Sequence, residues 1–137
     1  MTRFQIAIIS DEGIKTSTEF NGGGYWDGYG KDVYEALQDI GSVQEWKDYV
    51  TKFNSETFGY FERLHYNVPD DYLDMVKDYY DKWFSDYVYI KNITDEPVEF
   101  ITDNGRTSLQ PDEVGVFNFG TRLEPYTEEE YECEFDW

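Results

Sequence analysis

The first third of the chain alternates between short apolar runs and glycine-rich breaks. Residues 4–9 are rich in β-branched side chains and predict a buried strand, and residues 14–20 predict its returning partner in a hairpin. Between them Asp11-Glu12-Gly13 supplies the turn, with glycine where a positive φ is needed. The run Asn21-Gly22-Gly23-Gly24 then interrupts regular structure.

Helical spacing of apolar residues follows this break. Residues 31–40 predict a helix with Val33, Leu37 and Ile40 on its buried side and Gly41 as its C-cap. Ser42 and Glu45 have the spacing of a capping box, which predicts a second helix continuing through residue 53. Residues 55–67 fit either a short helix or an irregular segment.

A third helix is predicted over residues 69–84. Pro69 and the acids Asp70 and Asp71 suit a helix N-terminus, where negative charge meets the positive end of the helix dipole. The apolar residues that recur at helical spacing after them are Tyr72, Leu73, Val76, Tyr80, Trp83 and Phe84.

From residue 87 onward the apolar period changes to two, which predicts strands at 87–93, 98–102, 106–109, 114–119 and 131–137. Asn104-Gly105 is typical of a type I′ hairpin turn. The sequence therefore predicts one α+β domain over residues 1–137. It has an N-terminal β-hairpin, central helices over about 31–85 and a C-terminal antiparallel β-meander over about 87–137.

Composition narrows the class of protein. The 137 residues include 30 Asp and Glu, 11 Lys and Arg and 27 aromatic side chains, for a net charge of −19. So many aromatics indicate a folded acidic protein, not a disordered tail. The charge argues against direct binding to nucleic acid or to an anionic membrane, and favours a basic protein partner. The alternatives are high solubility and adaptation to salt.

The compartment is predicted from three further features. No run reaches the roughly 18 apolar residues that span a bilayer, and the N-terminus lacks the cleavage site of a signal peptide. The single cysteine, Cys133, excludes an internal disulfide framework. Together these features predict a cytoplasmic protein.

The acidic residues concentrate near the C-terminus. Residues 95–137 hold 13 acids and 2 bases, and no base follows Arg122. In the predicted last strand, alternate positions carry carboxylates about 6.8 Å apart, twice the rise of about 3.4 Å per residue. That row consists of Glu128, Glu130, Glu132, Glu134 and Asp136. It imitates the phosphate spacing of a nucleic-acid strand, or else it guards an exposed sheet edge against aggregation.

A second acidic row lies on the predicted third helix. Asp70, Asp74 and Asp78 are four residues apart, and Asp81 extends the row. Lys77 and Lys82 can pair with members of this row, so a solvated helix face is the simpler interpretation.

The third candidate site is the glycine loop, in which Tyr25, Trp26 and Tyr29 accompany five glycines and Asp27. These rings can anchor a partner, since Trp and Tyr are enriched at interface hot spots. They can also stack on a sugar whose hydroxyls bond to Asp27. In a purely structural alternative the loop folds back and buries Trp26.

Enzyme signatures are missing from the sequence. The single histidine, His65, has no nucleophile motif beside it, and Cys133 falls on the apolar face of its predicted strand. One histidine and one cysteine do not make an ordinary zinc site, and no calcium-loop or phosphate-loop spacing is present. We therefore expect no enzymatic activity, no metal and no cofactor.

In overall character the chain resembles the acidic inhibitors that phages and plasmids direct against host nucleases. The resemblance implies an anti-restriction or anti-CRISPR protein that mimics nucleic-acid charge and occupies the basic channel of a defence nuclease. The first alternative is an immunity protein that neutralises a basic toxin. Others are a small carbohydrate-binding module that uses the glycine loop, and a virion or scaffold component. A homodimer formed through an exposed edge is compatible with each of these hypotheses.

Overall fold

The first apolar run forms the central strand of a mixed sheet. The computed structural model describes residues 2–59, 65–68, 86–102, 105–118 and 120–124. Its strands are β1 (Arg3–Ser10), β2 (Gly13–Ser17), β3 (Phe20–Asn21), β4 (His65–Val68), β5 (Tyr87–Asn92), β6 (Val98–Thr102), β7 (Gly105–Leu109), β8 (Val114–Asn118) and β9 (Thr121–Leu123). Its helices are α1 (Lys31–Gln38) and α2 (Val43–Phe53), and wide helical turns occupy Trp26–Gly30 and Asn54–Phe58.

The main sheet has the order β4-β2-β1-β5-β8-β9, and β3 pairs with the start of β1. Strands β1 and β5 are parallel, in a register that runs from Phe4 opposite Tyr87 to Ile9 opposite Asn92. The other pairs in this sheet are antiparallel. The predicted α+β class is confirmed, with strands at the N-terminus, helices after them and further strands toward the C-terminus.

Strands β6 and β7 leave the main sheet and form a separate antiparallel hairpin. The order therefore departs from a simple meander, because β5 pairs with β8 and not with β6. Every residue of β5, and every residue of β1 after Arg3, is buried, so the centre of the sheet needs cover on both faces. The hairpin covers one face, and α1 and α2 cover the other.

Two apolar cores result, one on each face of the sheet. The core beneath the helices contains Phe4, Ile6, Ile8, Phe20, Val33, Leu37, Ile40, Trp46, Val50, Tyr87, Tyr89, Val114 and Val116. The core beneath the hairpin contains Ala7, Ile9, Ile14, Val68, Val88, Ile90, Phe100, Leu109 and Phe117. Alternation along β1 and β5 sends neighbouring side chains to opposite faces, which is why both strands supply apolar residues to both cores.

The predicted C-cap of α1 is wrong. The helix ends at Gln38, Asp39 keeps right-handed backbone angles, and Gly41 does not have a positive φ. The ammonium of Lys91 on β5 instead donates hydrogen bonds to the carbonyl oxygens of Gln38 (2.8 Å) and Ile40 (2.6 Å). Since a buried cation satisfies these carbonyls, a left-handed glycine cap is not needed.

The predicted start of α2 is confirmed. Ser42 is the N-cap, and its hydroxyl oxygen accepts a hydrogen bond from the Glu45 amide at 3.1 Å. The helix continues into the wide turn Asn54–Phe58, which ends at Gly59 with φ +67°. The ambiguous segment 55–67 thus begins with a helical turn and ends within β4.

The remaining strand predictions differ from the structure in detail. The single strand expected over residues 14–20 is split into β2 and β3, although Gly13 takes the predicted positive φ (+102°). The short strands β4 and β9 are absent from the predicted strands, and β4 lies where residues 55–67 fit a short helix or an irregular segment. The third helix at 69–84, the last strand at 131–137 and Asn104 of the predicted turn lie outside the described residues.

Candidate functional site

The structure describes three of the residues predicted to bind a partner, namely Tyr25, Trp26 and Tyr29. Both predicted acidic rows lie outside the described residues and stay predictions. Their members are Asp70, Asp74 and Asp78 in the helical row, and Glu128, Glu130, Glu132, Glu134 and Asp136 in the C-terminal row. The site that can be built from contacts is therefore the aromatic loop, by which we mean residues 22–30.

Backbone and side-chain hydrogen bonds fix the aromatic loop to the sheet. The Gly24 amide donates to the Thr2 carbonyl at 3.1 Å, and the buried Tyr89 phenol donates to the Gly24 carbonyl at 2.7 Å. The Tyr29 amide closes the loop on the Gly23 carbonyl at 2.7 Å. The glycine-rich segment is therefore held to the start of β1 and to β5 along its length.

The glycines of the loop permit close approach. A Cβ atom at Gly30 would overlap the hydroxyl of Tyr89 and would lie 2.8 Å from the Tyr25 carbonyl oxygen. A Cβ atom at Gly28 would lie 2.5 Å from the Gly23 carbonyl oxygen. Neither position has room for a side chain, so glycine is required there for packing.

Two rings of the loop are exposed although they pack against buried or half-buried rings of the helix-side core. Tyr25 is 49% exposed and meets Tyr87 edge-on, with ring centroids 5.7 Å apart. Tyr29 is 37% exposed and meets Phe53 and Phe58 edge-on, each at 5.6 Å. Each exposed ring is thus supported from beneath by the helix-side core.

Trp26 has a different environment from the two tyrosines. It is half-buried, meets Tyr34 of α1 edge-on at 5.3 Å, and packs at the margin of the helix-side core. The structural alternative, in which the loop folds back and buries Trp26, is met only in part, because the ring packs on the core but stays half-buried. Among the described residues the exposed large apolar side chains are Tyr25, Tyr29 and Ile101, so two of the three belong to this loop.

Exposed acidic residues continue from the loop along α1, and the sequence pointed to only one of them, Asp27, as a ligand for a sugar. Asp27 is exposed within the turn Trp26–Gly30, and this turn runs directly into α1. Asp32, Glu35 and Asp39 are also exposed, and their spacing of three and four residues puts them on one side of the helix. We call these three residues the α1 acidic stripe. These three residues lie on the side of the helix opposite the buried positions 33 and 37. Their spacing alone could have predicted an exposed acidic face.

Two of the described basic residues are turned toward the protein itself. Lys91 is 3% exposed and caps α1 from within. The guanidinium of Arg122 donates to the Thr107 hydroxyl (2.7 Å) and to the Ser108 carbonyl (2.6 Å), and it lies 3.1 Å from a carboxylate oxygen of Glu113. These contacts join β9 to the edge of the hairpin.

Arg3 is likewise engaged by its neighbours. Its guanidinium lies 3.5 Å from a carboxylate oxygen of Asp86 and 3.6 Å from one of Glu19. Asp86 is almost fully buried, so this pair holds the start of β1 beside the start of β5. The positive charge of Arg3 is therefore balanced locally by two carboxylates.

Tyr49 of α2 and Tyr89 of β5 are held in the neutral form by a raised pKa. Burial raises the pKa of Tyr49 to about 12, and the charge of Asp32 adds to the rise. Burial also raises the pKa of Tyr89 far above its ordinary range, with smaller contributions from Tyr87 and Asp27. Tyr89 therefore keeps the proton that it donates to the loop.

Other kinds of site find no support in the described parts of the chain. No group of three or more His, Cys, Asp or Glu residues there is arranged to hold a metal ion. No helix within the described ranges is long and apolar enough to cross a membrane. Comparison of the chain with protein-family models, with curated proteins and with solved structures gives no match.

Proposed function

We propose that this chain is a cytoplasmic protein inhibitor that occupies the basic nucleic-acid channel of a host defence nuclease in place of nucleic acid. The observation that carries the proposal is the disposition of charge. The described bases Arg3, Lys91 and Arg122 are engaged inside the fold or by neighbouring acids, while acids of the aromatic loop and α1 face solvent. With a net charge of −19, the field outside the molecule is negative, and these exposed carboxylates contribute to it.

The mechanism follows from electrostatics and needs no chemical step. A net charge of −19 attracts a basic surface over distances longer than contact and raises the association rate. Carboxylates then take the positions of phosphates, and the partner's bound nucleic acid is displaced by competition. Because salt screens exposed charges beyond about 10 Å at 0.1 M ionic strength, inhibition should weaken steeply as salt is added.

The test begins with the chain immobilised on a resin, which retains nucleases from host lysate at low salt. A competition assay is then carried out on these nucleases. Each nuclease is purified, and its binding to labelled DNA is measured with increasing chain at two salt concentrations. We expect displacement of DNA that weakens at the higher salt. Nucleases that hold DNA equally well with and without the chain would contradict the proposal.

Charge-reversal variants identify which acidic residues are needed for inhibition of the nuclease. In one variant Glu130, Glu132, Glu134 and Asp136 are changed to Lys. In the matched control the exposed acids Asp11, Glu12, Asp95 and Glu96 are changed to Lys, which alters the net charge equally. We expect the first variant to lose inhibition and the control to retain most of it. Equal loss in both would assign inhibition to total charge, and unchanged inhibition in the first would exclude the C-terminal row.

A further inference from the structure

We propose that the exposed rings of Tyr25 and Tyr29, together with the carboxylate of Asp27, bind arginine side chains of the basic partner. This inference rests on the proposed function, because it assigns part of the partner contact to a described surface. We call Tyr25, Tyr29 and Asp27 the arginine surface, because the guanidinium of arginine is the group that they would recognise.

The first support is the clustering of exposed apolar area. Within the described residues, two of the three exposed large apolar side chains occur four positions apart in this loop, and the third, Ile101, lies on the separate hairpin. Ring area left in water is unfavourable unless something covers it, and Tyr is among the residues that dominate binding energy at interfaces. The loop is thus the described region best suited to contact a partner.

The second support is rigidity. The Tyr25 ring rests on Tyr87, the Tyr29 ring rests on Phe53 and Phe58, and the loop backbone is closed by the bond from the Tyr29 amide. A surface that is already ordered loses little conformational entropy when a partner binds. The arrangement therefore favours binding without a rearrangement of the loop.

Charge identifies the occupant. Asp27 lies between the two rings in sequence and is exposed, and after the half-buried Lys31 the chain continues into the α1 acidic stripe. A planar guanidinium can stack on an aromatic face while donating hydrogen bonds to a carboxylate, and it is more weakly hydrated than an ammonium. Aromatic rings that stack nucleic-acid bases instead accompany a positively charged groove. The acidic setting here selects a cation, and the ring faces favour arginine over lysine.

The test measures binding of hexa-arginine amide and hexa-lysine amide to the full chain by titration calorimetry at low ionic strength. The variant is Tyr25→Leu/Tyr29→Leu, which keeps apolar side chains but removes both rings. Cation–π contacts at exposed sites contribute about 0.5–1 kcal/mol each, so the variant should bind hexa-arginine about tenfold more weakly. Hexa-lysine should bind more weakly than hexa-arginine and lose less in the variant.

Two controls separate ring chemistry from folding. Tyr25→Phe/Tyr29→Phe keeps the rings and should bind hexa-arginine within about twofold of the wild type. Ile101→Ala removes exposed apolar area on the hairpin and should change nothing. If the leucine variant does not fold, nuclear magnetic resonance of the wild type replaces it. Hexa-arginine should then shift the amides of Asp27 and Gly28 most, and shifts confined to other regions would overturn the inference.

The peptide titrations distinguish failure of the arginine surface from failure of the proposed function. If both peptides bind and the leucine variant binds hexa-arginine as well as the wild type, the arginine surface is wrong while a basic partner remains supported. If neither peptide binds the wild type, the proposed function fails together with this inference. Binding of a neutral disaccharide, such as cellobiose, that is lost in the leucine variant would assign the same rings to carbohydrate and overturn the choice of occupant.

Discussion

Replacing Lys91 by methionine tests whether a buried ammonium caps α1. The substitution keeps an unbranched side chain of similar length but removes the hydrogen bonds to the carbonyls of Gln38 and Ile40. Lys91 is 3% exposed, so water cannot readily replace the lost donor. We expect Lys91→Met to lower the free energy of unfolding.

The size of the effect is a balance of two opposing contributions. Hydrogen bonds to a charged group contribute about 1.5–3 kcal/mol each, so two of them represent about 3–6 kcal/mol. A cation at a helix C-terminus adds about 0.3–1 kcal/mol through the helix dipole. Against this, the variant no longer has to bury an ammonium, which relieves a desolvation penalty of several kcal/mol. Because the carbonyls lose their donor, we expect a net loss of about 2–3 kcal/mol.

Lys15→Met is the matched control. Lys15 and Lys91 both lie opposite Ile8, on the two strands that flank β1, but the Lys15 ammonium reaches Asn67 at the surface (2.8 Å). Loss of this exposed contact should change stability by no more than about 0.5 kcal/mol. Urea unfolding followed by circular dichroism gives both values.

Amide hydrogen exchange at the end of α1 shows whether a loss of stability comes from the missing cap. The amides of Asp39 and Ile40 bond to carbonyls in the last turn of α1, so their hydrogen exchange reports the end of this helix. Exchange there should accelerate in Lys91→Met and remain unchanged in Lys15→Met. A methionine variant as stable as the wild type would refute the reasoning, because desolvation of the ammonium would then outweigh its hydrogen bonds.

Three further predictions concern the interior. Asn92→Ala removes four hydrogen bonds from a side chain that is fully buried and should cost about 2–4 kcal/mol in urea unfolding; a loss below about 1 kcal/mol would contradict this. Gly30→Ala should cost about 1–3 kcal/mol because the new methyl overlaps the Tyr89 hydroxyl; adding Tyr89→Phe should restore part of the loss, and no recovery would exclude that overlap. The raised pKa of Tyr49 means that stability falls as pH rises from about 10 to 12, since the unfolded chain releases this proton first. Tyr49→Phe should make the loss of stability between about pH 10 and 12 less steep in urea unfolding. An unchanged pH dependence would contradict the raised pKa of Tyr49.

Local signals in the sequence predicted those elements that depend on neighbouring residues. The capping serine at Ser42 specifies the start of α2, and Gly13 specifies the turn of the first hairpin. The parallel pairing of β1 with β5 could not be predicted in this way, because its partners are far apart in sequence and no short pattern encodes their register. The departure of β6 and β7 from the main sheet likewise depends on covering a face that is buried only after β1 and β5 have paired.

In the candidate site, too, some features could be predicted from the sequence and others could not. The aromatic residues Tyr25 and Tyr29 were nominated because rings on a glycine loop are unusual, and the structure describes both as exposed. The sequence indicates Asp27 only as a ligand for a sugar, and the α1 acidic stripe does not stand out among 30 acids. Exposure cannot be read from residue type when acids are this frequent. The internal use of Lys91 was also hidden, since a lysine on a strand is ordinarily solvent-facing.

The placement of Lys91 bears on why the charge is so large. Asp39 lies at the C-terminal end of α1, where the helix dipole disfavours an acid, and the last turn of α1 contains no basic residue. A helix selected for stability alone would carry a surface lysine there. In this protein the compensating cation reaches the carbonyls from the sheet beneath, so the helix end is stabilised while its outer surface stays acidic. Good solubility does not require this arrangement, whereas it suits a surface that presents carboxylates to a basic partner, as proposed above.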